Sequence, residues 1–546
     1  MIDYFFPNGF PPTMWSSALA FVGLVLGILC LRYISGDNYP YPPGPKGFWY
    51  IGLPSSKVPS KKFWLTYIEW GKKYGDLIHF SRFGKHYVVI NSLQAARDIL
   101  DKQARVTSDR PHARVDELYS SSLLDALVLT AAIPYSDKWR KARKLFHQNL
   151  RAEATVQFHP IQSQKIRSFV EGLVLSEEAL KNQISTLSQK IMFLSIYGLD
   201  ISNNKEDMPA RTRETVESVD DRIIPGLDGY KYIPFFHLLP SWFPGGRHIA
   251  AVHAVGEIIS EAANNPWDAV QQQIKSDGHH ASLIAKLLSE TDPDDKEEMD
   301  RIKYFGFQSI AAAADTTMSA ISTFFLAMSL YPDVQSKGQE ELDAILGKGR
   351  MPTFDDRPSL PYIEAIFREV MRWHPALPMG LCHDSIQDIA YNGYYIPKGT
   401  SIYVNIWAIT HDPSVYKDPD QFIPERHLHK DGNINSILAY GFGRRVCVGR
   451  YMANDTIWLT IAATLAAVKI SSLPNENVED YYSDGGFCSP NTLPFMTRKV
   501  ESAPPTFTPL SPLPTAYSTP SASASASTSA QPLSRIPYPL SPIPIA

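Results

Sequence analysis

An uncharged, mostly apolar run of residues lies near the start of the chain. Residues 14–31 read MWSSALAFVGLVLGILCL, and a helix of roughly eighteen such residues just crosses the hydrocarbon core of a bilayer. The pattern therefore predicts a transmembrane anchor over residues 14–34, with residues 1–13 on the lumenal side of the membrane.

The charges around this run decide between an anchor and a cleaved signal peptide. A signal peptide carries positive charge before its apolar core, whereas here Asp3 precedes the run and Arg32 and Lys46 follow it. Positive charge also marks the cytosolic flank of a membrane helix. We therefore expect a single-pass protein of the endoplasmic reticulum membrane, in contact with membrane lipid at one end and with its catalytic domain in the cytosol.

Two segments of biased composition flank the body of the chain. Residues 35–47 include YPYPPGPKG, whose prolines cannot continue a helix, so we predict a stiff proline-rich hinge. Residues 503–546 consist mostly of Pro, Ser, Thr and Ala. This tail has too little to bury to offset the entropy of ordering and is predicted to be disordered. The globular domain then spans residues 48–502.

The globular body shows mainly helical periodicity. Strand-like stretches are the exceptions, at residues 87–91 and around residues 389–406, where Asn392-Gly393 marks a tight turn. The pattern predicts a mainly α fold with a small β portion, behind one N-terminal transmembrane helix.

Composition narrows the possible functions. The hydrophobic fraction of 44% is ample for a large core, and the formal net charge of −4 offers no general attraction to nucleic acid. The four cysteines are too few and too scattered for a disulfide framework or a paired-cysteine zinc site; they are Cys30, Cys382, Cys447 and Cys488. We expect free thiols in a reducing compartment and no nucleic-acid partner.

Cys447 lies among glycines and just before a long apolar helical pattern, within residues 439–468. Gly441, Gly443 and Gly449 let the backbone approach a flat ligand closely. A helix start directs N–H groups and a positive dipole at the sulfur, which favours a thiolate. A metal-bound thiolate fits this setting, and an inert buried cysteine is the alternative.

The spacing of this segment closely resembles the haem-binding signature Phe-x-x-Gly-x-Arg-x-Cys-x-Gly of the cytochrome P-450 family; here it is Tyr440-x-x-Gly443-x-Arg445-x-Cys447-x-Gly449. The resemblance covers roughly residues 41–499. It implies the cytochrome P-450 fold, haem b (iron-protoporphyrin IX) as cofactor and Cys447 as the axial ligand of the iron. Arg445 is then expected to meet a haem propionate. Tyr440 replaces the family's usual Phe, and its hydroxyl needs a partner if it is buried.

A second set of residues points to a buried charge network. Glu369 and Arg372 are three apart in a helical segment, so they share one face and can pair. Arg426 lies downstream, before the cysteine, and can complete a Glu-Arg-Arg network in an order that resembles the family. The resemblance implies a structural role for these three residues. His427 stands where many members have Phe, at the expected edge of the network.

Residues 304–330 are apolar nearly all round, which is typical of a helix that runs through the middle of a domain. Within it, residues 312–317 read AAADTT, which resembles the family's oxygen-activating motif. The resemblance implies that Asp315 and Thr316 relay protons during oxygen activation. From the residues alone a structural role stays open, with Thr316 bonded back to the carbonyl of Ala312. Ala313 occupies the position where the family usually has glycine. The efficiency with which NADPH consumption is coupled to substrate oxidation therefore stays open.

Three further residues match the positions from which the family contacts haem propionates. Trp139 and Arg143 form a Trp-x-x-x-Arg pattern on a predicted helix, and His383 matches a position where relatives place His or Arg. An ordinary surface histidine is the alternative for His383. The helix of Trp139 is also basic, and a basic face beside a haem attracts an acidic flavoprotein; its cations are Lys138, Arg140, Lys141 and Lys144.

These features predict a haem-thiolate monooxygenase that inserts one oxygen atom from O₂ into a lipophilic small molecule. Electrons are expected from NADPH through the flavoprotein NADPH-cytochrome reductase, because no Gly-rich dinucleotide fingerprint is present. The substrate stays open between secondary metabolism, as a terpenoid, steroid or aromatic compound, and xenobiotic detoxification. Largely apolar segments are expected to line its pocket, namely residues 122–129, 224–227, 305–312 and 376–381 and Phe487.

Two other functions are alternatives at this stage. A thiolate-haem isomerase or dehydratase keeps the haem and needs no reductase, but the Asp315-Thr316 pair argues against it. A non-enzymatic membrane scaffold that displays its Pro/Ser-rich tail leaves Cys447 merely buried. The ordered set of haem-contact motifs argues against this scaffold.

Overall fold

The computed structural model describes most of the chain between residues 40 and 499. The described residues are 40–48, 52–59, 61–82, 84–111, 131, 133–175, 180–201, 246–277, 282–428, 433–472, 482–484, 488, 490 and 495–499. The predicted anchor over residues 14–34 and the predicted tail over residues 503–546 lie outside these ranges. So do the pocket segments 122–129 and 224–227 and Phe487.

Helices make up most of the described structure, and short strands make up the rest. In chain order the helices are α1 (Phe63–Tyr74), α2 (Leu93–Ala96), α3 (Ala104–Thr107), α4 (Asp137–Leu150), α5 (Ala152–Thr155), α6 (His159–Leu175), α7 (Leu180–Met192), α8 (Gly246–Asp277), α9 (Leu283–Ser289), α10 (Lys296–Leu330), α11 (Pro332–Leu346), α12 (Pro361–Trp373), α13 (Ile406–Thr410) and α14 (Arg450–Ala467). The strands are β1 (Leu77–Arg82), β2 (Lys85–Ile90), β3 (His383–Asp384), β4 (Ile389–Tyr391), β5 (Tyr394–Ile396), β6 (Ser401–Val404), β7 (Val468–Ser472) and β8 (Phe495–Lys499).

The main sheet has the strand order β1-β2-β6-β3. Strands β2 and β6 run parallel, whereas β1 pairs with β2 and β3 pairs with β6 in antiparallel fashion. This pairing fixes the position of His383 in β3, opposite Ile402. Strands β4 and β5 form a hairpin, and strands β7 and β8 form a separate pair.

The long helix α10 runs through the core. Its first turn is capped by Asp295, whose side chain accepts a hydrogen bond from the backbone N–H of Glu298 at 3.0 Å. Along its C-terminal half the side chains of Ile321, Phe324 and Phe325 have no exposed surface. Of the described helices, α10 is also long and apolar enough to cross a membrane, but 72% of its apolar window lies inside the protein. It is therefore the central helix of the domain.

The predicted mainly α fold with a small β portion is confirmed. The strand-like stretches correspond to β2 and to β4, β5 and β6, and the predicted tight turn has φ values of 48° at Asn392 and 77° at Gly393. Two elements have bounds that differ from these stretches of sequence. Helix α10 starts at Lys296 rather than at residue 304, and Ile406 begins helix α13 because the Asn405 side chain caps that helix through the N–H of Ala408 at 3.0 Å.

Residues 40–48, which include part of the predicted hinge, lie against the sheet. Pro43 accepts a hydrogen bond from the backbone N–H of His79 at 2.9 Å, and the ring of Tyr41 stacks on the ring of His79 with centroids 4.8 Å apart. A Cβ atom at Gly44 would lie 1.7 Å from the carbonyl oxygen of His79. Glycine at this position therefore allows the close approach of the two segments.

Candidate active site

Cys447 lies in a loop that ends at the start of helix α14. The backbone N–H of Cys447 donates to the carbonyl of Tyr440 at 2.9 Å and closes the loop. The backbone N–H groups of Gly449 and Arg450 lie close enough to the sulfur to lower the pKa of the thiol. The first turn of α14 thus directs N–H groups at the thiol, as the sequence pattern predicts.

Gly443 is the position in this loop where glycine is required. Its φ is +60°, in the left-handed region, and an added Cβ would lie 2.3 Å from the carbonyl oxygen of Leu100. The backbone N–H of Gly443 donates to the carboxylate of Asp101 at 2.7 Å. The loop is therefore held against residues 97–101, and a side chain at Gly443 would displace it.

We expect Gly443→Ala to destabilise the fold and to lower the haem content. The left-handed conformation alone costs about 1–2 kcal/mol for alanine, and the overlap with Leu100 adds to this cost. Urea unfolding measures the change in the free energy of unfolding. Gly399→Ala is the control, since Gly399 has φ +78° with no atom within 4 Å of an added Cβ. Equal losses in the two variants would contradict a steric role of Gly443 beyond its φ.

Open space lies beside the sulfur of Cys447, and we call it the cleft. Cys447 is exposed, yet burial in the surrounding protein raises the pKa of its thiol above the ordinary value of 9.0. Ala312 is exposed in the middle of helix α10, between buried neighbours Ala311 and Ala314. Added Cβ atoms at Gly441 and Gly449 would meet no atom within 4 Å. This loop therefore leaves room for a bulky group beside the sulfur.

The direction of the Cys447 pKa has a chemical consequence. Burial is the largest cause of the rise, and the N–H groups of Gly449 and Arg450 and the charges of Arg143 and Arg450 only partly oppose it. By itself the thiol therefore stays protonated near neutral pH. A coordinated metal cation deprotonates a thiol outright, so this sulfur suits a metal ligand better than a free nucleophile.

Three buried or half-buried arginines surround the loop, and their positive charge exceeds that of the described carboxylates near them, Asp109 and Asp384. Burial lowers the pKa of Arg110 to about 10, of Arg143 to about 10 and of Arg445 to about 9, and repulsion among them contributes to the shifts of Arg143 and Arg445. Asp109 is a carboxylate that opposes the shift at both Arg110 and Arg445. A surplus of buried positive charge is costly without an anion. The cluster fits a ligand with carboxylates, such as the two propionates of haem.

Hydrogen bonds fix the orientation of these guanidinium groups. Arg445 donates to the carbonyls of Ser108 and Ile133, each at 2.7 Å. Arg110 donates to the carbonyl of Cys382 at 2.6 Å and to that of Leu381 at 3.0 Å, and Arg143 donates to the carbonyl of Val446. These backbone carbonyls orient the guanidinium groups without neutralising their charge.

Trp139 lies on the first turn of α4, where the capping residue sets its position. The Ser136 hydroxyl accepts a hydrogen bond from the backbone N–H of Trp139 at 3.2 Å. The indole is 4% exposed, and the guanidinium of Arg445 lies 4.4 Å from its ring centroid. Its Nε1–H has no hydrogen-bond partner among the described residues. A buried donor without an acceptor is costly, and a propionate oxygen would supply the acceptor.

His383 is buried in β3 and is therefore not an ordinary surface histidine. Its Nδ1 lies 2.8 Å from the carbonyl of Thr107, so Nδ1 carries the proton, because a carbonyl only accepts. Burial, followed by the charge of Arg110, lowers the pKa of His383 to about 3. The imidazole ring of His383 is therefore neutral at physiological pH.

The tyrosine of the signature is 9% exposed, and its hydroxyl has no partner among the described residues. Burial raises the pKa of Tyr440, and the nearby Cys447 raises it further. The phenol is therefore neutral. Among the described residues, the Tyr440 hydroxyl therefore lacks the hydrogen-bond partner that a buried tyrosine needs.

Glu369 lies at the centre of a buried charge network. The guanidinium of Arg372 makes two hydrogen bonds of 2.8 Å to the two carboxylate oxygens of Glu369, and Arg426 donates to one of them at 3.1 Å. Burial alone would raise the pKa of Glu369, but the hydrogen bonds from Arg372 and His427 outweigh it and bring the pKa to about 2. The carboxylate is therefore ionised at any physiological pH.

His427 is part of this network rather than a residue at its edge. Its Nε2 lies 2.8 Å from Oε2 of Glu369, and it is 8% exposed. Arg372 completes its own hydrogen bonding with the carbonyls of Thr410 at 3.0 Å and Pro419 at 2.9 Å. Every charge at the centre is thus paired, which a stable buried ion cluster requires.

On α10 the predicted proton-relay residues share a half-buried surface. The hydroxyl of Thr316 donates to the carbonyl of Ala312 at 2.8 Å, so the back-bonded arrangement is present. Its oxygen lone pairs remain able to accept a hydrogen bond. Asp315 is half-buried. Ala312 and Thr316 are four residues apart and lie on one face of the helix.

Most residues of one expected pocket segment, residues 305–312, are buried. Phe305, Phe307 and Ile310 are only 1–2% exposed, because α10 is packed on several sides along this stretch. Ala312 and, in the segment 376–381, Leu381 are the exposed positions. Of the predicted pocket segment 305–312, Ala312 is therefore the exposed residue.

A separate cavity of about 280 Å³ lies between α4 and the N-terminal part of α10. Leu145, Phe146 and Phe305 contribute apolar walls, whereas Lys138 and Glu297 carry charge. No residue of the cysteine loop lines it. This cavity is distinct from the cleft at Cys447.

The sequence did not predict the part of Arg110 or the direct bond of His427. Arg110 joins the cluster around Arg445, and His427 bonds directly to Glu369. Neither lies in a periodic pattern or at a short spacing from its partner. A buried arginine next to Pro111 gives no signal in one sequence, although the position of His427 directly after Arg426 could have indicated a shared partner.

Comparisons with known proteins agree with this geometry. A family model described as Cytochrome P450 matches residues 42–497. The cytochrome P450 monooxygenase COX1 of Coprinopsis cinerea is 35% identical over 468 residues, which are 84% of this chain and 90% of the relative. The cytochrome P450 monooxygenase 105 of Postia placenta is 33% identical over 87% of this chain and 92% of its own. The cytochrome P450 monooxygenase claR of Ampulloclitocybe clavipes is 33% identical over 83% of this chain and 85% of its own.

Proposed function

Since this chain belongs to the cytochrome P450 family and is a haem-thiolate monooxygenase, we propose that Cys447 ligates the iron of haem b and that the substrate is a lipophilic product of secondary metabolism. Haem, when bound, supplies the iron that activates O₂ and inserts one oxygen atom into the substrate. NADPH supplies the electrons through a reductase. One observation carries the assignment of Cys447: its accessible sulfur lies at the start of α14, beside the arginine cluster.

The arginine cluster binds the propionates in this proposal. Arg445, Arg143 and Arg110 supply positive charge, and the free Nε1–H of Trp139 supplies a directed donor. His383 binds a propionate from β3. Its Nδ1–H already donates to the carbonyl of Thr107, so its Nε2 can donate to the propionate only when the ring is protonated. A nearby carboxylate favours that protonation.

The remaining residues of the signature shape the seat of the haem. Gly443 holds the loop against Leu100, and Gly449 leaves open space before α14. Tyr440 packs behind the sulfur, where its neutral phenol lies close enough for Cys447 to affect its pKa. Glu369, Arg372 and Arg426 hold the loops on this side of the domain and take no part in chemistry.

In the proposed site, Asp315 and Thr316 lie across the cleft from Cys447 and move protons there. The Thr316 hydroxyl donates to Ala312, so its lone pairs can accept a hydrogen bond from water or from the reacting oxygen group. The half-buried Asp315 is the adjacent proton source. The pair thereby supplies the protons that reduction of O₂ consumes.

Support for the substrate class is chemical. The exposed Ala312 and Leu381 are apolar, and an apolar wall selects a lipophilic molecule. We propose a terpenoid, steroid or aromatic compound of secondary metabolism, with xenobiotic detoxification as the second role.

We also propose that the protein is held in the endoplasmic reticulum membrane by residues 14–34, with a hinge over residues 35–47 and a disordered tail over residues 503–546. The uncharged run and the positive charges after it support this. NADPH-cytochrome reductase is the proposed partner. The exposed basic residues of α4 support its docking; they are Lys138, Arg140, Lys141 and Lys144.

The carbon monoxide difference spectrum of the reduced protein in membranes tests the function. A strongly red-shifted Soret band is the expected result for a thiolate-ligated haem. Substrate panels with reductase and NADPH then test the substrate class through product formation. Well-folded protein without any haem signal would sink the proposal.

Trp139→Phe is expected to weaken haem retention while the fold persists. A hydrogen bond to a charged group contributes about 1.5–3 kcal/mol, so haem affinity should fall by roughly tenfold to a hundredfold. The rate of haem transfer to an excess of a haem-accepting protein measures the loss. Trp458→Phe is the matched control, because the Nε1–H of Trp458 in α14 is also buried without a partner among the described residues. The role of Trp139 would be contradicted if neither variant lost haem faster than the parent, or if only Trp458→Phe did so.

A further inference from the structure

A hydrogen bond from a neighbouring helix reaches the backbone of α10 beside the proposed proton relay. The hydroxyl of Ser188 in α7 donates to the carbonyl of Ala313 at 2.7 Å. Ser188 is 2% exposed, so water does not compete for this bond. One residue earlier on α10, the carbonyl of Ala312 accepts from the hydroxyl of Thr316 at 2.8 Å. Two consecutive helix carbonyls therefore accept side-chain hydroxyls.

Extra donors change a helix locally. In an α-helix the carbonyl of Ala313 faces the N–H of Thr317, four residues on. A hydroxyl that shares this carbonyl draws it away from the helix axis and weakens the backbone bond, which bends or loosens the helix at that turn. The turn affected here is the one that carries Asp315 and Thr316.

The Ser188 bond reaches α10 at position 313, where this chain differs from the family motif. Alanine stands where the oxygen-activating motif of the family usually has glycine, and alanine gives the backbone less conformational freedom than glycine does. The Ala313 carbonyl instead has a donor from a different helix. In this chain a contact from outside the helix therefore acts on the turn where the family usually has glycine.

We propose that Ser188 is a positioning residue for the monooxygenase reaction. By holding the Ala313 carbonyl, it sets the orientation of the α10 turn that presents Asp315 and Thr316 to the cleft. Ser188 touches neither substrate nor haem and acts only through the backbone. The inference rests on the proposed relay role of Asp315 and Thr316.

The chain offers a matched control for the removal of this hydroxyl. Ser195 lies in the turn Phe193–Tyr197 that follows α7, and it is also 2% exposed. Its hydroxyl has no hydrogen-bond partner among the described residues. Ser188→Ala and Ser195→Ala therefore delete the same atom from equally buried positions, but only the first deletes a bond to α10.

The experiment compares three readouts in the haem-loaded variants. These are the infrared stretching frequency of bound carbon monoxide, the hydrogen peroxide released per NADPH consumed, and the free energy of unfolding in urea. A hydrogen bond contributes about 0.5–1.5 kcal/mol, so we expect Ser188→Ala to raise the peroxide fraction by roughly twofold to tenfold and to shift or broaden the carbon monoxide band. Ser195→Ala should leave the carbon monoxide band and the peroxide fraction as they are in the parent.

A double-mutant cycle distinguishes positioning from general loss of stability. If the Ser188 bond replaces the backbone freedom that a glycine at position 313 would give, Ala313→Gly should make that bond less important. Ala313→Gly should then reduce the effect of Ser188→Ala on the peroxide fraction by at least about half, because contacting sites couple. Ser188→Thr, which keeps the hydroxyl, should retain parent-like coupling. Equal effects of Ser188→Ala and Ser195→Ala, or additivity with Ala313→Gly, would overturn the inference. A parent protein without the red-shifted Soret band would instead overturn the proposed function.

Discussion

Replacement of Cys447 by histidine is expected to abolish monooxygenase activity and to remove the thiolate signature from the carbon monoxide difference spectrum. The thiolate donates electron density to the iron and favours O–O cleavage, whereas a neutral imidazole donates much less. The surroundings favour retention of the haem, since Trp139 and the three arginines do not depend on the sulfur. The variant should therefore bind haem with a shifted spectrum and form no product above background.

Cys382→Ser is the control for this substitution. Cys382 is half-buried, and its thiol lies 3.4 Å from the carbonyl of His383, so serine can keep the contact. Burial raises the pKa of Cys382 to about 12, which leaves its thiol un-ionised. Parent-like spectra are expected for this control. A parent-like spectrum of Cys447→His, with product formation intact, would rule out Cys447 as the ligand.

The second large effect is expected for Glu369→Gln. Glu369 has no exposed surface, and the substitution leaves the charge of Arg372 buried without its partner. Breaking a buried ion pair in this way costs about 3–5 kcal/mol, which is a large part of the stability of a typical domain. The variant should yield little folded, haem-loaded protein, and unfolding in urea should show the loss directly.

Glu69→Gln provides the comparison for an exposed pair. Glu69 and Lys72 are 2.7 Å apart, but both side chains are about two-thirds exposed. Exposed pairs contribute about 0–1 kcal/mol, so this control should unfold almost as the parent does. A loss at Glu369 no larger than that at Glu69 would show that the buried network does not hold the fold.

The pH dependence of stability offers an independent check on Glu369. Its pKa falls from the ordinary 4.5 to about 2 in the folded protein, so its contribution is fully present above pH 4.5. The contribution is lost as the pH falls from 4.5 towards 2, because the unfolded chain then takes up the proton first. The stability difference between the parent and Glu369→Gln should narrow over this window.

Short spacings made much of the site predictable. Glu369 and Arg372 face the same side of α12 because they are three residues apart, and any helix would bring them together. Gly443, Arg445, Cys447 and Gly449 follow one another in a single loop, so their proximity needs no knowledge of the rest of the fold. Ser136 caps α4, which begins at Asp137, and thereby fixes the position of Trp139 in the first turn.

Other contacts depend on segments that are distant along the chain. Arg110 and Arg445 approach one another only because residues 97–111 pack under the cysteine loop, at the point where Gly443 meets Leu100. The burial of Phe305 follows from the packing of α10 against α4, where its ring lies 4.7 Å from that of Phe146. Helical periodicity places Phe305 on a face of α10 but does not say which neighbour covers that face.

The helical class, the cysteine with its glycines and the Glu369-Arg372 pair could be read from the sequence, since each depends on residues within a turn or a short loop. Three contacts became visible only in the folded chain: Arg110 joins the cationic cluster, His427 bonds to Glu369, and Ser188 bonds to the carbonyl of Ala313. The physical reason is that these bonds form between elements whose relative positions are set by core packing. A hydrogen bond requires its two atoms to lie about 3 Å apart, and local periodicity cannot specify such a distance between distant segments.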